Sequence, residues 1–363
     1  MRNMSFWDES KENVFQVMHK DLCVASINRK NGEVKLFRKK LLPFNLWLEE
    51  SEDFDERVNN LTNFNYWCST RLLSLDRRYA KELLNSCGLT QAITDKERAD
   101  IALQYRCVSL KDHYWVTQAG DIATWGSVSV FNNRLDEAII NVALKGKSIT
   151  ITNLDLVKSD LATDGVFPKA WLRKENFYLL KGDENDSVRK EVEASKILRL
   201  LGISVLDYKY KEMNQDRVSC CQCFTNDTVS YVTAGDLNNF LINEDVVFSE
   251  WIREYWISYC QMIVADFLVG NTDRHQDNWG FLYDDEKVIV SPVPLMDFNH
   301  AFEGDLDMRC LPEVLMGRNI TQFEAVKEVL SLVELDLSNL KALQEFHYGS
   351  FVLERLKMLG LTE

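Results

Sequence analysis

The run from about residue 249 to 269 is apolar, helical in spacing and abruptly ended, and it constrains whatever lies beside it. Trp251, Tyr255, Tyr259, Met262, Ile263 and Phe267 recur near a period of 3.6, which predicts a helix buried along one face. Gly270 stops it, because glycine accepts the left-handed backbone that closes a helix. The next residue opens the string Asn271-Thr272-Asp273-Arg274-His275-Gln276-Asp277-Asn278. A core helix therefore sets down a dense polar loop at its C-terminal end. The strand-like runs GFLY and KVIV follow, and then Leu295-Met296-Asp297-Phe298-Asn299-His300.

Polar loops after buried helices are common, and an ordinary reading would make Asp273 a cap, Arg274 a surface charge and Asp297 part of a turn. Against it stands the layout: an aspartate, an asparagine five residues on, and a second aspartate after a hairpin, an arrangement that recurs in phosphoryl transfer. Asp273 would accept or orient a hydroxyl proton. Asn278 and Asp297 would offer hard oxygen ligands to Mg²⁺. The spacing of Asp273 and Asn278 matches the catalytic loop of protein kinases.

Upstream, the chain divides by texture into residues 1–145, 146–225 and 226–363. The first stretch mixes short strand-like and helical runs, with a hairpin signal at Asn31-Gly32 and a helix expected from Asp76 to Ser86, closing on Gly88. It holds no constellation of catalytic residues and reads as a regulatory, docking or scaffold region. In the second stretch, KSITITNLDLV predicts a strand and Thr163-Asp164-Gly165 a polar turn. AWL and FYLLK predict two strands about the turn Arg173–Asn176, followed by a helix over 187–201 that Gly202 ends. SVLDYKY and RVSCCQCF complete an antiparallel pattern suited to a small lobe that covers a nucleotide. The last 40 residues predict at least two amphipathic scaffold helices.

Composition narrows the classes. A chain of 363 residues with 5 prolines and no flexible linker suggests two or three directly packed domains. A net charge of −14 argues against general nucleic-acid binding, which needs cationic neutralisation of phosphates, although a local basic patch is compatible with it. The 9 scattered cysteines, an N-terminus without an apolar signal core and the lack of any run of about 18 apolar residues point to a reducing cytoplasm and to no membrane partner. Cys220, Cys221 and Cys223 lack a second ligand pair for zinc, so Cys221 and Cys223 are expected to behave as small core residues on one strand face. Among the 5 histidines, no pair has metal-ligand spacing on one helix.

The strings NTDRHQDNWGF and LMDFNHAF together resemble HipA-like serine/threonine kinases, whose fold is related to that of phosphatidylinositol kinases. The resemblance extends through FPKAWL, FYLLKGD, EVEASKILRLLGI and SCCQCFT, over roughly residues 150 to 300. It implies an α+β fold: a two-lobed kinase-like body, small and β-rich in its N-lobe and mainly helical in its C-lobe, with a mixed α/β N-terminal extension. It implies ATP and Mg²⁺ as cofactors, Asp273 as the catalytic aspartate, and Asn278 and Asp297 as metal ligands. Lys181 matches the strand lysine that contacts ATP phosphates, and Glu191 is its natural partner, with Glu193 second. His275 either steadies the loop or lies near the transferring phosphate. Gly165 and Lys169 sit where the family carries its phosphate loop, here with a single glycine. Gln222 and Cys223 fall at the adenine hinge.

The acceptor implied is a protein serine or threonine, including Thr163 or Ser159 of the chain itself. The family's habit of working as a toxin suggests an antitoxin-type protein partner, with any nucleic-acid contact made through that partner. Two alternatives remain: a lipid or small-alcohol kinase, and a silent pseudokinase that binds without transferring.

Overall fold

The computed structural model describes residues 13–74, 78–86, 93–132, 168–183, 185–213, 215–305 and 318–363. They form two compact units. The first comprises Met1–Phe177 with Thr225–Ser230 and Asp284–Val288; the second comprises Tyr178–Phe224, Tyr231–Tyr283 and Ile289–Glu363. The expected strand KSITITNLDLV, the turn at Thr163-Asp164-Gly165, Ser159 and the helix stop at Gly88 lie outside the described residues.

The first unit is built on an antiparallel sheet of β1 (Val14–His19), β2 (Leu22–Asn28), β3 (Val34–Leu36) and β4 (Tyr114–Gln118), ordered β3-β2-β1-β4. The turn expected at Asn31-Gly32 joins β2 to β3. Gly32 has φ 73° there, and a Cβ would lie 2.0 Å from the Arg57 carbonyl oxygen, so only glycine fits. Helix α1 (Phe54–Ser69) starts on Asp53, whose carboxylate accepts from the Asp55 and Glu56 amides. It packs on α3 (Asp95–Gln104), which opens with a Thr94/Glu97 capping box. The short helices α2 (Ala80–Ser86) and α4 (Trp125–Val128) and strand β5 (Lys169–Arg173) complete the unit.

In the second unit, β8 (Asp216–Gln222) pairs antiparallel with both β6 (Phe177–Lys181) and β7 (Lys209–Met213). Helix α5 (Ser187–Leu200) covers this sheet: Val192 meets Tyr208 and Cys221 in one buried cluster, flanked by Leu179 and Leu206. Cys221 is thus a core residue, as expected from its strand position. A second small sheet follows, ordered β11-β10-β9, from β9 (Ser230–Thr233), β10 (Gly280–Tyr283) and β11 (Ile289–Pro292). Around it lie α6 (Ala234–Asn243), α7 (Phe248–Trp251) and α8 (Trp256–Val269). The single helix expected over 249–269 is broken, because Ile252–Tyr255 tightens into a 3₁₀ turn. Trp251 and Tyr255 both turn onto the Phe281 ring there, at 4.9 and 5.2 Å between centroids, and the tighter turn accommodates that packing. The two C-terminal helices, α9 (Gln322–Val329) and α10 (Gly349–Met358), pack on α8.

The fold is α+β, with sheets of modest size and a mainly helical C-terminal part. No helix among the described residues is long and apolar enough to cross a membrane. The described cysteines are all free thiols.

Candidate active site

The site grows from the end of α8. Gly270 adopts φ 55° and its amide returns to the Phe267 carbonyl, so the chain leaves the helix at once. The loop that follows is held from beneath by Arg274, which is 2% exposed. Its guanidinium meets the Asp266 carboxylate through Nε at 3.0 Å and Nη2 at 3.0 Å. Its Nη1 donates to the Asn278 carbonyl at 2.6 Å and to the Met296 carbonyl at 2.8 Å. Asp266 also accepts from Asn271 Nδ2 at 3.0 Å, and Gln322 of α9 donates to the Asn271 carbonyl at 2.9 Å. A guanidinium has five fixed donors, and here they tie the helix end, the loop and the segment before Asp297 into one network.

Above this support, Asp273 and Asn278 face one another. Asn278 Nδ2 donates to the Asp273 carbonyl at 2.7 Å and approaches its carboxylate Oδ2 at 3.4 Å. With the amide nitrogen so engaged, Oδ1 is the acceptor that the Asn278 side chain has to offer. Asp297, immediately after Met296, has φ 60°, a left-handed conformation unusual for a non-glycine residue and concentrated at functional sites.

A second group centres on Lys181, at the end of β6. Its ammonium donates to Glu191 Oε1 of α5 at 2.5 Å and to Asp297 Oδ1 at 2.9 Å. Glu191 Oε2 in turn accepts from Ser219 Oγ of β8 at 2.5 Å. Burial works against the Lys181 charge, but the Asp297 and Glu191 carboxylates outweigh it and hold the ammonium well above its ordinary pKa. The Tyr208 ring lies 5.4 Å from the ammonium, its own hydroxyl pushed up by burial. Glu191 is the lysine's partner; Glu193 instead accepts from the Tyr348 amide at 3.0 Å.

Lys181, Glu191 and Asp297 thus form one hydrogen-bonded group, and Arg274 joins it through Met296 to Asp273 and Asn278. His275 stands apart. Its side chain is 42% exposed, and its ring caps the turn Gln276–Asn278 by accepting from the Asp277 amide at 3.3 Å. Gln222 ends β8 opposite Tyr178, with Cys223 half-buried one residue beyond. Lys169 is buried in β5 of the first unit, and Gly165 lies outside the described residues. Arg274 and Asp266 were missed as a pair. The available signal was Asp266 itself, a carboxylate within the apolar run of a core helix, which needs a buried cation.

No family model and no curated protein matches this chain. Among solved structures it is similar to HipA in the toxin–antitoxin complex of Shewanella oneidensis MR-1 HipA, HipB and operator DNA. That match has 13% identity and a TM-score of 0.55, covering 95% of this chain and 97% of the other. It is also similar to the Helicobacter pylori proinflammatory kinase CtkA, at 18% identity and a TM-score of 0.35, covering 52% of this chain and 82% of that one. The likeness to HipA runs through nearly the whole of both chains, and this protein has the HipA-like kinase fold.

Proposed function

We propose that the protein is an ATP- and Mg²⁺-dependent phosphotransferase that acts on a serine or threonine hydroxyl of a protein. The observation that carries this reading is the hydrogen-bonded group of Lys181, Glu191 and Asp297 and its tie, through Arg274, to Asp273 and Asn278. A strand lysine paired to a helix glutamate, beside an aspartate and an asparagine at kinase spacing, is the set that protein kinases use for phosphoryl transfer.

Each residue then has a task. Glu191 keeps the Lys181 ammonium charged and aimed, and that ammonium binds phosphate oxygens. Asp273 orients the acceptor hydroxyl and takes its proton. Asn278 Oδ1 and the Asp297 carboxylate are hard oxygen donors of the kind magnesium prefers, and Asp297 already faces a cation in Lys181. When bound, the metal neutralises charge that builds on the phosphoryl oxygens. His275, exposed and capping, steadies the loop. Gly165 and Lys169 are assigned to the phosphate loop, Gln222 and Cys223 to the adenine hinge, and residues 1–145, 146–225 and 226–363 to extension, N-lobe and C-lobe; these follow from the sequence resemblance alone.

The Shewanella HipA complex contains HipB and operator DNA. By that analogy a partner of antitoxin type is proposed here, with a toxin role for this chain. Because the neighbour's complex also contains DNA, a net charge of −14 is no argument that this chain stays clear of DNA once a partner is bound.

The test is incubation with γ-labelled ATP and Mg²⁺ beside an Asp273→Asn variant. Label on the wild-type chain or on an added protein substrate, absent with the variant, is the expected result. Equal labelling by both would remove Asp273 from the mechanism. No binding of ATP by calorimetry would replace the transferase with a pseudokinase.

A further inference from the structure

The first unit contains a cluster that phosphoryl transfer does not use. His19 ends β1, and His113 stands one residue before β4, whose Tyr114 is registered against His19. Asp285 comes from the segment Asp284–Val288, which belongs to the same unit. One nitrogen of each histidine and one Asp285 oxygen lie within 4.8 Å of one another. His19 is 2% exposed and His113 0%.

The hydrogen bonds around His113 pose a problem of charge. Its Nε2 lies 2.7 Å from the Asn226 carbonyl oxygen, which can only accept, so Nε2 carries a proton. Nδ1 then faces the Asp285 carboxylate Oδ1 at 2.7 Å and Ser230 Oγ at 3.3 Å. A neutral ring would aim a lone pair at an anionic oxygen, so the pair needs a positive charge, either a shared proton or a metal cation bound by both atoms. His19 favours the cation. Its buried Nε2 makes no hydrogen bond and points at the same Asp285 oxygen from 3.6 Å. A proton on His113 would leave that nitrogen without a partner, whereas a cation accounts for both rings.

We propose that His19 Nε2, His113 Nδ1 and Asp285 Oδ1 bind one divalent transition-metal ion of the zinc class. Two imidazoles and a carboxylate suit zinc, cobalt or nickel, whereas magnesium and calcium take oxygen donors. The surroundings supply the outer contacts that ligands of this kind need. The Asn226 carbonyl fixes the His113 tautomer, and Lys20 binds Asp285 Oδ2 while reaching the Asp227 carbonyl at 2.7 Å. The nearby Asp112 is committed to Arg71. Bound metal would pin the edge of the sheet to Thr225–Ser230 and Asp284–Val288 within the first unit.

The experiment uses the full chain, stripped with chelator and titrated with Co²⁺ while the visible d–d bands are recorded, with Zn²⁺ calorimetry in parallel. One equivalent should bind, and Zn²⁺ should displace Co²⁺. His19→Phe and Asp285→Asn should each lower affinity by at least the roughly 10–100-fold that loss of an outer contact costs, while Lys20→Met keeps the bands. Circular dichroism checks that each variant is folded, and the wild-type titration stands whether or not a variant folds. No stoichiometric binding by the wild type, or bands unchanged in both ligand variants, would overturn the site. So would ¹⁵N spectra showing His113 protonated on both nitrogens in the presence of excess Zn²⁺, which would leave a plain ion pair with Asp285.

Discussion

A guanidinium at 2% exposure, with a carboxylate on one side and two main-chain carbonyls on the other, has all three of its nitrogens engaged, and that is the position of Arg274. Arg274→Leu would strand the Asp266 carboxylate in the core. Breaking a buried pair from one side costs about 3–5 kcal/mol. Urea denaturation should show a loss of that order, and adding Asp266→Asn should recover part of it; additive losses would separate the two residues. Asp297→Asn tests the metal role with little disturbance of the backbone, because asparagine, like aspartate, adopts φ 60° more readily than other non-glycine residues. ATP affinity measured with Mg²⁺ should fall tenfold or more, about 1.4 kcal/mol, while affinity without metal changes little. An unchanged Mg²⁺ dependence would take Asp297 out of the cation site. At this scale the spacing of Asp273, Asn278 and Asp297 was legible in the sequence, and the structure brings Asp273 and Asn278 into hydrogen-bond contact. Arg274 was not, because a charged residue in a polar string carries no mark of which way it points.

Among the elements, α8 sets the position of the loop, and Gly270 sets where α8 ends. A Cβ at Gly270 would lie 2.7 Å from the Phe351 ring and would add left-handed strain at φ 55°. Gly270→Ala should therefore destabilise the protein by about 1–2 kcal/mol, read from thermal or urea unfolding, and Phe351→Leu should relieve the steric share. A neutral substitution would mean the helix can run on past this point. Helix α5 and strands β6 and β8 were legible with near-correct bounds, because strong alternation and a glycine stop act locally. The break at Ile252–Tyr255 was not, since the pattern of Trp251 and Tyr255 is helical and their shared contact with Phe281 is made only in the folded packing.

Across the whole molecule, the division into units does not follow chain order. Two short segments, Thr225–Ser230 and Asp284–Val288, belong with the first unit although the residues on either side belong to the second. Nothing in their composition announces this, and it is what brings Asp285 to His19 and His113. The sequence by itself determined the strand-and-helix pattern around Lys181 and Glu191 and the identity of the polar loop, because periodicity, glycine stops and residue spacing act over a few residues, while the fold class came through the resemblance those motifs carry. Tertiary structure alone decided that Lys181 meets Asp297, that Arg274 is a buried strut, and that two histidines far apart in sequence share one carboxylate. Those outcomes depend on which groups lose their water together, and that is set by packing between segments remote in the chain.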